Sequence, residues 1–372
     1  PIDPEGELWK RVHAQLLRIK WIDFDILDLA GRHPELTLPQ AEAIIGFVDL
    51  AHQVLVHTNS FLFATERIMS KAELHMALTT RIVDLFAERF NPESPMPDAE
   101  FDRRLAECRA EAESVKGADG VGTILTTFVD IVAATLRTNY WLPRRFGLAL
   151  RLDPKLLVTS RRPELPYGVF FVHGRGFNGF HVRFKEIARG GLRVVRPRTA
   201  AEHARESERL YDEVYGLSFA QQLKNKDIPE GGAKCAILLE PGADVTRCVK
   251  AFVNSILDLI TPDPEVTQLI VDRWGRQELI YLGPDEYITP THIEWIVAQA
   301  KKRKYPLPNA FMSSKPGAGI NHKVYGVTSE GVNVFLEVGL KARGIDPGKQ
   351  AFAIKIKGGP QGDVARDRIR IR

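Results

Sequence analysis

Cysteine is scarce in this sequence, which has three among 372 residues. Cys108, Cys235 and Cys248 are too few and too scattered for a disulfide framework, which excludes the small disulfide-stabilised secreted folds. We therefore expect a protein of a reducing compartment and predict a cytoplasmic location.

Long apolar segments are also missing. The most apolar stretch, residues 43–64, is interrupted by Asp49, His52 and His57, so no segment reaches the roughly 18 apolar residues of a membrane span. The first residues show no basic segment leading into an apolar one, as a signal peptide would, and there is no initiator methionine. We expect no membrane partner and interpret the sequence as an internal piece of a longer polypeptide.

Charge of one sign is not in excess, because 51 basic residues face 47 acidic ones and the net charge is +4. A nucleic-acid-binding protein would usually carry a basic stripe on one element, and none is visible, so we expect no nucleic-acid partner. No cysteine and histidine cluster has zinc-site spacing, so we predict no metal. His173 and His181, which lie at strand ends, are interpreted as structural histidines.

The first part of the chain is dominated by helical patterns, and we predict a mostly helical scaffold region over residues 1–155. Thr37 followed by Pro39 marks a helix start, with apolar residues at helical spacing after it. Prolines within 91–97 indicate a break, after which Asp98 can cap a charged helix over 99–115. A further helix is predicted over 123–140.

After residue 155 the pattern changes to strands alternating with helices, which predicts an α/β domain over 156–338. The expected strands cover 167–172, 180–184, 235–239 and 278–282, and the expected helices cover 200–223, 245–260, 291–303 and 329–343. A last strand over 350–357 runs into a glycine loop, so residues 339–372 are predicted to begin a Rossmann-type domain.

Four short segments place charged side chains beside glycines. They are Arg189-Gly190-Gly191-Leu192-Arg193, two segments that share the loop 224–234, and the turn 283–286. Glycine lets the backbone approach a ligand closely, and lysine or arginine beside it can bind a carboxylate. Each segment taken singly is unspecific and is usually only a turn.

In combination and order, these segments resemble the glutamate dehydrogenase family. The family pattern is a basic residue before Gly-Gly-(Ile/Leu)-Arg, a lysine at a helix, a Pro-x-Gly-Gly-x-Lys loop and an aspartate in a short turn. The sequences Phe-Val-His-Gly-Arg-Gly-Phe over 171–177 and Tyr-Leu-Gly-Pro-Asp-Glu over 281–286 look like its large NAD-specific branch. The resemblance covers about residues 135–365.

The resemblance implies a role for each matching residue. Lys234 would activate water and polarise the carbonyl of 2-oxoglutarate, and Asp285 would shuttle a proton to and from the amino group. The implied substrate-binding residues are Arg189, with Gly190 and Gly191, for the side-chain carboxylate and Lys224 for the α-carboxylate. The implied cofactor is NAD, contacted by Thr328, Gly359 and Gly362. The implied reaction is the oxidative deamination of L-glutamate to 2-oxoglutarate and ammonia, in a homo-oligomer.

The sequence departs from the family pattern in three places. Arg189 stands where the small hexameric enzymes carry lysine, although the large branch shares the arginine. The interval from Lys224 to Lys234 is ten positions, two shorter than in the small enzymes. Gly359 and Gly362 are one position farther apart than the first two glycines of a dinucleotide fingerprint.

Other interpretations remain open from the residues alone. Lys234 can be a surface lysine, and Asp285 and Thr328 can be helix caps. The whole protein can be an inactive regulatory relative, an anion-binding module without redox function, or a dehydrogenase of another amino acid. Branched-chain and aromatic amino-acid dehydrogenases usually lack a cation at the position of Arg189, so its arginine favours an acidic substrate. We also expect the isolated chain to be inactive, since one strand and a glycine loop cannot form a nucleotide-binding domain.

Overall fold

The N-terminal third of the computed structural model is helical. The structure describes residues 3, 6–115, 117, 119–224, 229–314 and 325–356. The helices in this part are α1 (Glu7–Arg18), α2 (Phe24–Arg32), α3 (Leu38–Leu55), α4 (Thr65–Leu74), α5 (Met76–Arg89), α6 (Asp98–Ser114) and α7 (Val121–Ala134). Within the described residues, no helix is both long and apolar enough to cross a membrane.

A local signal sets the start of α3 as the sequence predicts. At the start of α3, the Thr37 hydroxyl accepts a hydrogen bond from the Gln40 N–H, and the Gln40 side chain accepts one from the Thr37 N–H. This capping box satisfies two backbone donors that a helix start leaves without partners. At α6 the expected cap is wrong by one residue. Pro97 is the N-cap, and Asp98 lies inside the first turn, where its carboxylate pairs with Arg89.

Seven strands form one sheet among the described residues. They are β1 (Thr135–Thr138), β2 (Leu148–Leu152), β3 (Gly168–Gly174), β4 (Phe177–Arg183), β5 (Ala188–Val195), β6 (Gly231–Leu239) and β7 (Tyr281–Pro284). Their order is β1-β2-β3-β4-β6-β5-β7. The pairs from β1 to β4, and β4 with β6, are antiparallel, whereas β5 is parallel to both β6 and β7.

The sheet starts earlier in the chain than the sequence indicates. The helix expected over 123–140 ends at Ala134, because β1 then pairs with β2, with Thr135 opposite Leu152. Both strands lie before residue 155, so the mostly helical region supplies two strands to the sheet. The segment 188–195, interpreted as a ligand-binding glycine motif, is itself the strand β5.

Helices cover both faces of the sheet, so the fold is mixed α/β with three layers. The later helices are α8 (Ala200–Ser207), α9 (Leu210–Leu223), α10 (Val245–Ile260), α11 (Pro264–Thr267), α12 (Pro290–Lys302) and α13 (Val327–Ala342). The helix expected over 200–223 is thus two helices. Alternate residues of β6 enter different cores: Leu238 joins the core with α3, α7 and α9, and Ile237 joins the core with α10 and α12.

The C-terminal expectations are met in part. The helix expected over 329–343 is α13. The strand expected over 350–357 does not form in residues 351–356, which have no regular secondary structure. A strand needs a neighbouring strand to complete its hydrogen bonds, and none of the seven described strands pairs with this segment. Gly359 and Gly362 lie outside the described residues.

Candidate active site

A lysine and two glycines lie level across three neighbouring strands. β5 and β6 keep one register on both sides of this point, which places Gly191 of β5 level with Lys234 of β6. On its other side Gly191 pairs with Gly283 of β7. Because level residues of parallel strands point to the same face, the Lys234 side chain can extend across two positions that have no side chain.

The lysine uses this gap to reach Asp285, the residue that follows β7. The Lys234 ammonium donates a hydrogen bond to Oδ2 of Asp285 and forms an ion pair with it. Asp285 is held in place by its own backbone, whose N–H donates to the Leu192 carbonyl at 3.1 Å. Its Oδ1 accepts from the Glu286 N–H at 2.8 Å. The two proposed catalytic side chains therefore meet in one place.

The electrostatics of this pair keep the carboxylate ionised. Partial burial raises the pKa of Asp285, but the ammonium of Lys234 and the hydrogen bonds to the carboxylate outweigh it and hold the pKa below the usual range. The Lys234 side chain is only 10% exposed, whereas that of Asp285 is 39% exposed. The carboxylate is consequently the more accessible member of the pair.

Both glycines of β5 are required by close contacts. A β-carbon at Gly191 would lie 2.8 Å from Oδ2 of Asp285, and one at Gly190 would collide with the backbone carbonyl of Ala233. The first collision would displace the aspartate and the second would separate two paired strands. The Gly-Gly motif thus serves the packing of the site, whichever ligand it also contacts.

Arg189 lies two residues before Gly191 on the same face of β5, and it pairs with Glu230. The guanidinium Nε is 3.4 Å from Glu230 Oε2, a long ion pair, and the Arg189 side chain is 43% exposed. A competing carboxylate from solution can therefore reach the guanidinium. Glu230 was missed by the sequence reasoning, although it stands between Pro229 and the glycines of the quoted motif.

Lys224 ends α9 close to the same end of the sheet. Gly232 of β6 lies beside Arg189 of β5. The Gly232 N–H donates a hydrogen bond to the Gln222 side chain of α9 at 2.9 Å. A β-carbon at Gly232 would collide with α9 at the Ser218 carbonyl, so glycine allows the helix to lie directly on the strand. The exposed Lys224 follows Gln222 by two residues, while Lys226 lies outside the described residues.

Arg193 is a further cation beside Asp285 that the sequence reasoning quoted without a role. It forms ion pairs with Glu213 of α9 and, at 3.1 Å, with Glu286. Its positive charge also lowers the pKa of Asp285. Because Arg193 pairs with both Glu213 and Glu286, it connects α9 to the turn that carries Asp285.

The alternative capping roles are wrong for both residues considered. The N-cap of α12 is Thr289, four residues after Asp285. The N-cap of α13 is Gly326, and Thr328 is an exposed residue of the first turn. The sheet thus brings Arg189, Lys234 and Asp285 together with Lys224 at the adjoining helix end, whereas Thr328 lies on α13, outside the sheet.

Comparison with known proteins assigns the chain to a family. Residues 108–369 match the family described as bacterial NAD-glutamate dehydrogenase, catalytic domain. The chain belongs to this family. The match covers every candidate site residue, including Gly359 and Gly362.

Named relatives agree with this family. An NAD-specific glutamate dehydrogenase of Neurospora crassa is 36% identical over 66% of this chain, and one of Saccharomyces cerevisiae is 37% identical over 66%. An NAD-specific glutamate dehydrogenase of Mycobacterium tuberculosis is 30% identical over 82% of the chain. These alignments span 24%, 23% and 20% of the relatives, so the chain corresponds to about a quarter of their length.

A solved structure of a glutamate dehydrogenase mutant covers 80% of this chain and 50% of its own, at 13% identity and a TM-score of 0.33. A similarity of this size does not assign a fold. The architecture therefore rests on the sheet and helices described above.

Proposed function

We propose that this chain forms the glutamate-binding part of an NAD-dependent glutamate dehydrogenase. The reaction is L-glutamate, NAD⁺ and water giving 2-oxoglutarate, ammonium, NADH and a proton. The observation that carries the proposal is the Lys234–Asp285 ion pair across Gly191, within a chain of this family. Its lysine supplies a buried cation, and its aspartate supplies an ionised carboxylate open to a ligand.

In this proposal the carboxylate of Asp285 takes a proton from the substrate's ammonium group, since its lowered pKa keeps it ionised at neutral pH. Lys234 then faces the α-carbon, where its cation stabilises the developing carbonyl oxygen and orients the attacking water. The substrate has to enter between the two side chains and replace their direct contact.

The cations at the end of the sheet bind the two carboxylates of glutamate. Arg189 releases Glu230 and accepts the side-chain carboxylate, whose planar oxygens match a guanidinium. Lys224 binds the α-carboxylate. The arginine gives a physical reason for preferring glutamate to amino acids with apolar side chains.

NAD, when bound, supplies the hydride acceptor for the α-carbon. The chain offers Thr328, whose exposed position in the first turn of α13 leaves its hydroxyl accessible to the carboxamide of a nicotinamide ring. Gly359 and Gly362 are proposed to contact the pyrophosphate within a Rossmann-type domain that begins in residues 339–372.

The test is Lys234→Ala in the complete protein. Loss of the cation should lower kcat for NAD-dependent glutamate oxidation by about 10²- to 10⁴-fold, while Lys155→Ala, an exposed lysine of the Pro154–Leu157 turn, should leave it unchanged. NADH formation is measured against glutamate concentration. A folded wild-type protein that binds glutamate but forms no NADH would instead support a regulatory relative.

A further inference from the structure

A cavity lies at the opposite end of β6 from the proposed active site. It has a volume of about 550 Å³ and is bounded by α2, α3, α4, α8 and the β3–β4 hairpin. Glu240, on its wall, follows β6 and is six residues beyond Lys234. At about 3.3 Å per residue of strand, the two places are roughly 20 Å apart.

The lining of this cavity is strongly acidic. Eight carboxylates face it, against one guanidinium, that of Arg32. Arg32 is already held by Asp28 and Glu73, and Asp49 pairs with His173 at 2.9 Å. Among the described residues, the carboxylates of Asp25, Glu66, Glu208 and Glu240 have no cationic partner.

The crowding of negative charge is visible in the ionisation of two of these groups. Partial burial, together with the nearby charges of Asp23, Asp25 and Asp49, raises the pKa of Glu240 to about 7. Burial and neighbouring aspartates also raise the pKa of Asp25. A positively charged ligand would relieve this repulsion.

A buried histidine in the lining, His52, points to a hydrogen-bond donor as the ligand. His52 is 4% exposed and its Nδ1 lies 2.8 Å from the Phe63 carbonyl, which can only accept, so Nδ1 carries the hydrogen. In an imidazole whose one hydrogen is on Nδ1, the acceptor is Nε2, and Nε2 of His52 has no partner. An unmet buried acceptor is costly, and an ammonium group would satisfy it.

The distribution of the acids selects the kind of cation. Among the described residues, no three carboxylate, histidine or cysteine side chains converge closely enough to hold a metal ion. The carboxylates come instead from separate elements around the cavity, and Ile45, Val48 and Met69 form apolar wall between them. Separated charges joined by apolar surface match ammonium groups joined by methylene chains.

We propose that this cavity binds a linear aliphatic polyamine. Its ammonium groups pair with Asp25 and Glu240 on one side and with Glu66 and Glu208 on the other. Its methylene chain lies along Val48, and one ammonium donates to Nε2 of His52.

The test is calorimetric titration of the complete protein with putrescine and spermidine, and with butylamine and Mg²⁺ as comparison ligands. The Asp25→Asn/Glu240→Gln double variant should bind spermidine about tenfold more weakly or worse. Asp102→Asn, an exposed acid of α6, should not change the affinity. Because Glu66 is exposed on α4, Glu66→Gln provides a second variant with no buried contact to disturb.

Stronger binding of spermidine than of butylamine, weakened by Glu66→Gln and by the double variant, supports the proposal. No spermidine binding, equal weakening by Asp102→Asn, or Mg²⁺ binding that displaces spermidine from this cavity would overturn it. None of these readouts depends on dehydrogenase activity, so the outcome is independent of the function proposed above.

Discussion

At the scale of single residues, the glycines of β5 determine where the charged groups can lie. Because Gly191 has no side chain, the ammonium of Lys234 can cross β5 and reach Asp285. Any larger residue would occupy the space that the ion pair uses. The glycine is therefore part of the proposed catalytic arrangement without itself carrying a reactive group.

Gly191→Ala should consequently reduce activity without unfolding the protein. The new methyl group would stand 2.8 Å from the Asp285 carboxylate and push it away from Lys234. A displacement of about 1 Å at a reacting group can cost about 10²-fold in rate, and kcat measured at saturating glutamate should fall by that order. Gly216→Ala, which meets nothing within 4 Å on α9, is the matched control. Equal kcat in the two variants would contradict this account.

Arg189 is expected to recognise the substrate side chain. Arg189→Ala should lower kcat/KM for glutamate roughly 30-fold or more, since a lost charge-assisted contact costs about 2–5 kcal/mol. Norvaline, which has no second carboxylate, should lose far less. The measurement is the ratio of kcat/KM for the two substrates in wild type and variant. Equal losses would show that Arg189 does not read the side chain and would favour another amino acid as substrate.

At the scale of secondary-structure elements, local chemistry predicted the helices better than the strands. α10 extends over Val245–Ile260, as its apolar spacing indicates, and its N-cap Asp244 accepts a hydrogen bond from the Arg247 N–H. β1, by contrast, directly continues α7, and only its pairing with β2 makes it a strand. Such pairing depends on residues distant in sequence, which a local pattern does not contain.

For the candidate site, too, the sequence predicted which residues take part but not which of them are in contact. The family pattern named Lys234 and Asp285, which are 51 residues apart, but nothing in their spacing states that they touch. Glu230 and Arg193 were not assigned roles, because their importance lies in which cation or carboxylate each one faces. Contacts of this kind follow from the register of β5 with β6 and β7.

Ion pairs that connect α3 to α1 and to the segment before β2 make a pH-dependent contribution to stability. Glu42 of α3 is 2% exposed and binds Arg18, at the end of α1, at 2.6 Å. It also binds Arg145 in the segment before β2. Burial alone would raise the pKa of Glu42, but the two guanidiniums hold it at about 2. A carboxyl group whose pKa is depressed in the folded state stabilises it above the unfolded pKa, near 4.5, and loses this contribution as pH falls towards 2.

Glu42→Gln should therefore destabilise the protein by about 3–5 kcal/mol at pH 7, since it leaves two buried cations without their anion. The difference from wild type should shrink progressively as the pH falls below about 4.5 towards 2. Urea unfolding at several pH values measures both effects. Glu107→Gln, at an exposed carboxylate of α6, is the control. A difference that is constant with pH would rule out the ion pairs as its source.

At the scale of the whole molecule, β6 is the strand that joins the antiparallel part of the sheet to its parallel part. It pairs with β4 on one side and with β5 on the other, and it carries Lys234 in its middle. Its two faces contribute to the two hydrophobic cores. A change in β6 is consequently felt by the site, by both cores and by the cavity at its end.

This central position of β6 has a consequence for synthesis on the ribosome. β4 ends at Arg183 and β6 begins at Gly231, so the edge of β4 has no partner while about 50 intervening residues are made. At about 5–20 residues per second, this exposed edge persists for roughly 3–10 s, long enough for two nascent chains to pair with each other. Slow synonymous codons placed over residues 184–230 should therefore lower the soluble yield more than the same codons placed in α6. If the yields are equal, the unpaired edge is protected during elongation, and the timing of translation is free to vary without harm to this sheet.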